Sequence, residues 1–543
     1  MTEPSCKGEC TRCRGCALRQ ACCRACAPPT AVQESRAFDG LIYAFYTLLA
    51  FCVIRYGITP VSVSMHLRPD YDANIYHLIG SAWMEGMLPY VALSDLKGPL
   101  IFLEYGLGSL LVPDSFLGVS IINALVVGLG FLYAWKCAAL FVGRYAGLAA
   151  SGVLFVYTLY FSAHPSVNVL TLQYISLYYV LRAMLQGKSC TGWPSYAAGA
   201  FVGLVLLLKF NLAAFWLPVG LYMLFGERGW GKRLLQMVAG LLAVLLPAVV
   251  YMSCVGMLGA FWEECVLTSV CYGSAGWAES ALVQRGWELL SQVMPDHLYI
   301  HAPLWLTASL GSLLAFPWLV LPQVVRLPRP GVYYSVLGST WLLCLVANFG
   351  GAHHFLHYFF SFMPFVMLSL VVWLRLLMRI PCLPRLKRLV VAALVALPLP
   401  VALVAAATPF YVDACRQQLG ISQSRQATAA LVEHLRGHSF VCTDHYHTLL
   451  LYRLAGQVPP IRHLVPQMTP QGYSRYEKEM LELLRTNPPR FVVCTPLTME
   501  ETELLLHKAG VHYRWVELAP PTYPEYPPKS KYPPFCLLEL VKH

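Results

Sequence analysis

The chain has 543 residues, of which 57% are hydrophobic and only 12% charged, and its formal net charge is +11. A soluble globular domain carries about twice that charged fraction, so the composition excludes an ordinary soluble globule. The positive excess does not indicate nucleic-acid binding either, because the lysines and arginines are divided among separate segments rather than gathered into one stripe.

Residues 1–39 are polar and include Cys6, Cys10, Cys13, Cys16, Cys22, Cys23 and Cys26. They lack the plan of a cleavable signal peptide. Thiolates at this spacing could hold zinc or an iron–sulfur cluster, but no histidine or knuckle pattern accompanies them, which favours a short disordered cytosolic tail with reduced thiols.

From residue 40 to 409, apolar runs of bilayer-crossing length recur. Spans are predicted near 40–55, 116–141, 144–163, 167–185, 195–209, 212–225, 234–257, 303–321, 332–349, 355–374 and 389–409. Lys209 and Asn211 are the only interruption of the run 195–225. Were that run a single span, the parity of everything downstream would flip. The positive-inside rule decides between the two readings. With eleven spans and a cytosolic N-terminus, twenty of the twenty-five lysines and arginines before residue 410 fall inside. The outer face then keeps only Arg55, Arg68, Lys97, Lys209 and Arg285. The expected fold is a polytopic α-helical membrane protein followed by a small α/β domain outside the cytosol.

The first outer loop, 56–115, carries the least expected charges. Helical spacing of Ile75, Tyr76, Ile79, Trp83 and Met87 predicts an amphipathic helix at the interface, with Asp72 at its N-cap. Asp70 stands two residues earlier in an Arg-Pro-Asp turn. Downstream, in Asp-Leu-Lys-Gly-Pro, Gly98 permits close backbone approach and Pro99 opens a helix over 99–111. A lysine beside a helix N-terminus at the membrane surface suits a phosphate, so Lys97 is the leading anion-binding candidate. Other outer-edge polar residues fall in the same layer: His164 and Asn168, Lys209 and Asn211, and His353, His354 and His357. His353 and His357 have the spacing of a metal pair on a helix, but no third ligand is identifiable, and capping of a span or an anionic headgroup accounts for them better.

After Phe410 the composition becomes that of a soluble domain, with fourteen bases and twelve acids. FVCTD (440–444) and RFVVCTP (490–496) read as buried strands, each followed by a helix ending in glycine, at 447–456 and 498–510. HYRWVEL and FCLLELV read as further strands, separated by the extended Pro/Tyr-rich loop 520–534. Cys442 and Cys494, at matching strand ends, suggest a disulfide, although Cys415 and Cys536 leave the pairing open. No hydrolase elbow, nucleotide-binding glycine pattern or zinc-hydrolase motif occurs, and Asp444, His445 and His447 read as a strand-to-helix turn.

Asp72 with Tyr76 and Gly80, GMLPYVALSDLKGP (86–99), HYFFSFMP (357–364) and YRLAGQVPPIRH (452–463) together resemble the GT-C superfamily of integral-membrane glycosyltransferases. The nearest resemblance is to the bacterial branch of protein O-mannosyltransferases and lipid A aminoarabinose transferases. It implies a GT-C membrane domain over 40–409, an extracytoplasmic domain over 410–543 and a location in the cytoplasmic (inner) membrane. It also implies transfer of a sugar from a polyprenyl-phosphate donor to a lipid, glycan or protein acceptor of the cell envelope, at the outer face. Asp72 matches the first-loop acid, the general base, ahead of Asp70; Lys97 matches the lysine on the carrier phosphate. Lys209, His357 and Arg462 are further candidates for the anionic donor. Relatives often have an acid at the start of the fourth span, where this chain has Leu172 and Gln173, which withdraws support for a second acidic or metal-assisted role. A divalent cation is conceivable on such a donor, but no ligand set in the sequence supports one. The competing readings are a flippase for lipid-linked saccharides and a non-catalytic envelope assembly protein. Transport favours charges buried in mid-span, whereas here the polar groups sit at span ends.

Overall fold

A computed structural model describes residues 36–57, 59, 61–62, 71–113, 115–158, 164–186, 189–226, 228–274, 330–349, 360–379, 421–444, 448–464, 470–516 and 535–541. The cysteine-rich tail, Asp70, His353, His354, His357, His445, His447, Cys415, the predicted spans 303–321 and 389–409 and the loop 520–534 lie outside the described residues.

The membrane part is built from α1 (Arg36–Tyr56), α4 (Leu117–Val142), α5 (Arg144–Thr158), α6 (Pro165–Gln186), α7 (Trp193–Lys209), α8 (Trp216–Phe225), α9 (Trp230–Cys254), α10 (Pro330–Phe349) and α11 (Met363–Arg379). Two shorter helices lie between α1 and α4, α2 (Tyr71–Met84) and α3 (Pro99–Leu111). Among the described residues four helical stretches are long and apolar enough to cross a membrane: Arg36–Tyr56, Leu117–Val142, Trp193–Phe225 and Trp230–Cys254. At 1.5 Å per residue α4 is about 39 Å long. It is also the most enclosed, with α1, α5 and α6 against it, whereas α9 turns Leu234, Leu235, Leu242 and Leu246 outward.

Inter-helix contacts give the directions. Phe38 meets Trp135 and Tyr46 meets Phe131, so α1 and α4 are antiparallel. Asn123 faces Asn168 while Tyr133 faces Tyr178, so α4 and α6 run parallel. The run 193–225 is broken by a 3-10 segment over Phe210–Phe215, where Asn211 donates to the Ala347 carbonyl at 3.0 Å. Gly192 N–H donates to Gln236 Oε1 at 2.9 Å, and a Cβ on Gly199 would run into Met237 and one on Gly203 into Val244. These contacts put α7 and α9 side by side and parallel, with their N-termini at one end. Small residues at the seam allow the backbones to approach, as membrane packing requires in place of a hydrophobic drive. Two parallel helices in sequence need a return pass between them. Residues 210–225 supply it, which supports the two-span reading. Arg233, buried at 1% exposure, closes the turn by donating to the Leu224 and Arg228 carbonyls.

One end of the bundle collects Lys136, Arg144 and Arg182. Lys136 pairs with Asp39 at 2.6 Å, and all three bases lie over aromatic rings. Asp72, His164 and Lys209 lie at the other.

The C-terminal domain contains α12 (Ile421–Leu435), β1 (Phe440–Cys442), α13 (Leu449–Ala455), α14 (Pro470–Thr486), β2 (Phe491–Cys494), α15 (Met499–Ala509), β3 (Tyr513–Val516) and β4 (Cys536–Leu540). The sheet order is β1-β2-β4-β3, with β1 parallel to β2 and the other pairs antiparallel. All four predicted strands are present, and α13 and α15 end on left-handed Gly456 and Gly510. The suggested Cys442–Cys494 pairing is not met. Cys442 stands opposite Val493, so side-chain alternation sends Cys494 to the other face, and Cys494 is paired across the strands with Cys536.

Candidate functional site

Asp72 lies inside the first turn of α2 rather than at an N-cap, because the helix already includes Tyr71. Its carboxylate keeps 34% exposure and its Oδ2 is 3.5 Å from Nε2 of His164. The other ring nitrogen of His164, Nδ1, accepts the Ser166 backbone N–H at 3.2 Å, which leaves the imidazole proton on Nε2, facing Asp72. Burial is the main influence on His164 and holds its pKa down to about 4, so this contact is made by a neutral ring.

Lys97 is delivered by a loop fixed on every side. Its backbone N–H bonds Asp95 Oδ1 at 2.9 Å and its carbonyl accepts from Tyr90 Oη at 2.6 Å. The preceding Leu96 carbonyl accepts from Cys265 Sγ and Ser269 Oγ. Gly98 N–H reaches the Leu208 carbonyl at 3.3 Å, and a Cβ on Gly98 would collide with Leu207, so only glycine brings this loop against the end of α7. Tyr90 takes a positive φ of 64°, a left-handed conformation that a non-glycine residue adopts at a cost on the order of 1 kcal/mol. Pro99 then starts α3, whose first turn has no side-chain cap. The Lys97 ammonium lies over the Tyr76 ring, 5.8 Å from its centroid.

The two aspartates respond oppositely to this setting. Burial favours the neutral acid at Asp72, but Lys97, His164 and Lys209 outweigh it and hold the carboxyl well below the usual carboxylate range. At Asp95 burial prevails, reinforced by the charge of Asp72, and its pKa is raised. Asp95 thus forms the turn under the Lys97 backbone, and Asp72 is the carboxyl held ionised beside the lysines.

Of the residues singled out from sequence, the structure brings Asp72, Lys97, Lys209 and His164 together, from α2, the loop before α3, the end of α7 and the start of α6. Arg462 is drawn to Glu264, at 3.0 Å. Deeper, Glu104 accepts from Asn123 at 2.9 Å and from Asn168 at 2.5 Å, tying α3, α4 and α6. Gln173 is buried about two and a half turns along α6 from His164. Sequence reasoning missed Tyr90, Glu264 and Arg453. Arg453 Nε donates to Asn74 Oδ1 at 3.0 Å, and its guanidinium lies over Phe116. Among the described residues no group of three His, Cys, Asp or Glu converges to hold a metal ion.

A family model for dolichyl-phosphate-mannose-protein mannosyltransferase matches residues 97–257, from Lys97 to just past α9. The crystal structure of ArnT from Cupriavidus metallidurans bound to undecaprenyl phosphate superposes with a TM-score of 0.57, covering 94% of this chain and 99% of that one at 12% identity. This chain has the ArnT fold. The apo form of ArnT from the same organism gives a TM-score of 0.54 at 12% identity, covering 93% and 98%. No curated protein sequence matches. The motif resemblance to the GT-C aminoarabinose- and mannosyltransferase branch is thus matched by both a family model and the ArnT fold.

Proposed function

We propose that this protein is a membrane glycosyltransferase moving a sugar from a polyprenyl-phosphate donor to an acceptor hydroxyl at the outer face of the cytoplasmic membrane. The observation that carries the reading is the meeting of an ionised carboxylate, Asp72, with two lysines, Lys97 and Lys209, at one end of the bundle. The undecaprenyl phosphate bound by ArnT is a carrier of the chemistry such a site would take.

The acceptor oxygen attacks the anomeric carbon and gives its proton to Asp72. The electron pair of the sugar–phosphate bond leaves with the carrier phosphate, whose growing charge faces Lys97, Lys209 and the uncapped start of α3. His164 Nε2 faces the Asp72 carboxylate, 3.5 Å from Oδ2. A positioned base contributes about 10²–10⁴-fold, and fixed charge at the leaving group is of comparable weight. The sidedness agrees with the basic end of the bundle facing the cytosol. The extracytoplasmic domain then sits over the site.

Two variants test the reading. Asp72→Asn is expected to lower transfer about 10²–10⁴-fold with folding intact. Lys97→Ala is expected to weaken donor binding. Full transfer by purified Asp72→Asn protein would overturn the assignment. Mass spectrometry of envelope glycolipids and glycoproteins with and without the gene identifies the sugar and acceptor.

A further inference from the structure

Glu264 lies in a π-helical turn, Trp262–Leu267, that follows α9, and its side chain is 2% exposed. Burying one carboxylate this deeply requires partners for both oxygens. Oε1 accepts from Arg462 Nη2 at 3.0 Å and Arg475 Nη1 at 3.1 Å, and lies 3.3 Å from His463 Nε2; Oε2 accepts from Ser94 Oγ at 3.1 Å. Glu479 completes the cluster. One of its oxygens meets His463 Nδ1 at 2.7 Å and the other accepts the backbone N–H groups of Arg462 and His463. Three of the four partners of Glu264 belong to the C-terminal domain. The fourth, Ser94, is three residues before Lys97. Ser94 also gives its backbone N–H to the Arg462 carbonyl at 2.9 Å, and the residues after Glu264 hold the Leu96 carbonyl. One buried carboxylate thus joins the outer domain to the loop that delivers the site lysine.

We propose that Glu264 is a positioning residue that clamps the outer domain onto the loop Ser94–Gly98, so that the phosphate site at Lys97 is formed only when that domain is docked. The inference rests on the reading of Lys97 as a phosphate ligand. Removing the Glu264 charge leaves Arg462, Arg475 and His463 facing a neutral amide and replaces the charge-assisted Ser94 bond with a weaker neutral one, which loosens the tie between the outer domain and the loop. Coupling between linked sites typically changes affinity by roughly 5–150-fold.

The experiment uses the full chain in detergent micelles and compares wild type, Glu264→Gln, Ser94→Ala and Lys97→Met. Binding of undecaprenyl phosphate is measured at equilibrium, and amide hydrogen exchange is followed at residues 94–98 and in α14. Glu264→Gln is expected to bind at least about fivefold more weakly and to exchange faster in both segments. Lys97→Met is expected to lose binding without faster exchange in α14. If Lys97→Met loses binding but Glu264→Gln changes neither binding nor exchange, the clamp is refuted and the phosphate reading stands. If Lys97→Met binds like wild type, the phosphate reading fails, and the proposal with it. Ser94→Ala removes only the loop-side bond. Should Glu264→Gln not fold, weaker binding by Ser94→Ala with faster exchange confined to 94–98 supports the clamp, and unchanged binding refutes it.

Discussion

Asp72 and Asp95 show how position decides the use of a carboxyl group. Both feel Lys97, yet only Asp72 is held ionised far into acid, because Lys97, His164 and Lys209 together outweigh burial there. The sign gives a prediction. A base works while ionised, so activity falls as pH drops through its pKa; removing a cation that depresses that pKa moves the acid limb of the pH–rate profile to higher pH. Lys97→Met is expected to shift the limb upward, with a smaller shift for Lys209→Met, whose effect on Asp72 is the lesser. An unmoved limb in both variants would separate Asp72 from the reaction. A phosphate bound between the same lysines would offset their charge in the same direction, making Asp72 a better base once the donor is in place.

His463 carries the opposite sign. Burial would lower its pKa, but hydrogen bonds and charge from Glu264 and Glu479 raise it to about 9, against the nearby positive charges of Arg462 and Arg475. A raised histidine contributes its full stability below its unfolded value near 6.5 and loses it as pH climbs through about 9. The melting temperature of wild type is therefore expected to fall relative to His463→Gln between pH 7 and 9.5. Parallel curves would show that the imidazolium contributes nothing to docking.

At the scale of elements, legibility followed local pattern. The four strands, the glycine-ended helices α13 and α15 and the Pro99 start of α3 were readable because each carries its own signal over a few residues. The amphipathic helix α14 had one too, since Tyr476, Met480 and Leu484 recur every four residues and are buried, but it lies within a polar stretch. Strand register was not readable, and register is what separates Cys442 from Cys494. The observed pairing has a consequence. Directly opposed residues on antiparallel strands have Cα atoms about 4.5–5.5 Å apart, within the range a disulfide spans. Cys494 and Cys536 are both free thiols among the described residues. Treatment with diamide, which takes up the two electrons and two protons released by a thiol pair, is expected to link the Cys494 and Cys536 peptides. Mass spectrometry of a nonreducing digest checks this, and a Cys442–Cys494 product would contradict the register.

Over the whole molecule, the site depends on contacts that no short window of sequence encodes. Asn74 and Arg453 are 379 residues apart, yet their side chains meet two residues from Asp72. Charge counting gives an expected sidedness, and motif resemblance singles out Asp72 and Lys97, which the fold brings together. What was missing was the seat of the outer domain, because Glu264, Arg453 and Ser94 belong to no recognisable local pattern. Arg453→Met tests whether that seat matters to α2, the helix that carries Asp72. It removes a hydrogen bond from a charged donor, worth about 1.5–3 kcal/mol, and a desolvated contact with Phe116 worth about 2 kcal/mol. The β-sheet core should stay intact, because Arg453 points away from it toward α2. The expected result is faster amide exchange in both α13 and the first turns of α2, unchanged exchange in β1 and β2, and reduced transfer activity; Arg453→Lys should restore only part of it, since lysine lacks the planar fork. Faster exchange in α13 alone, with normal activity, would mean that the domain rests on α2 without holding Asp72 in place.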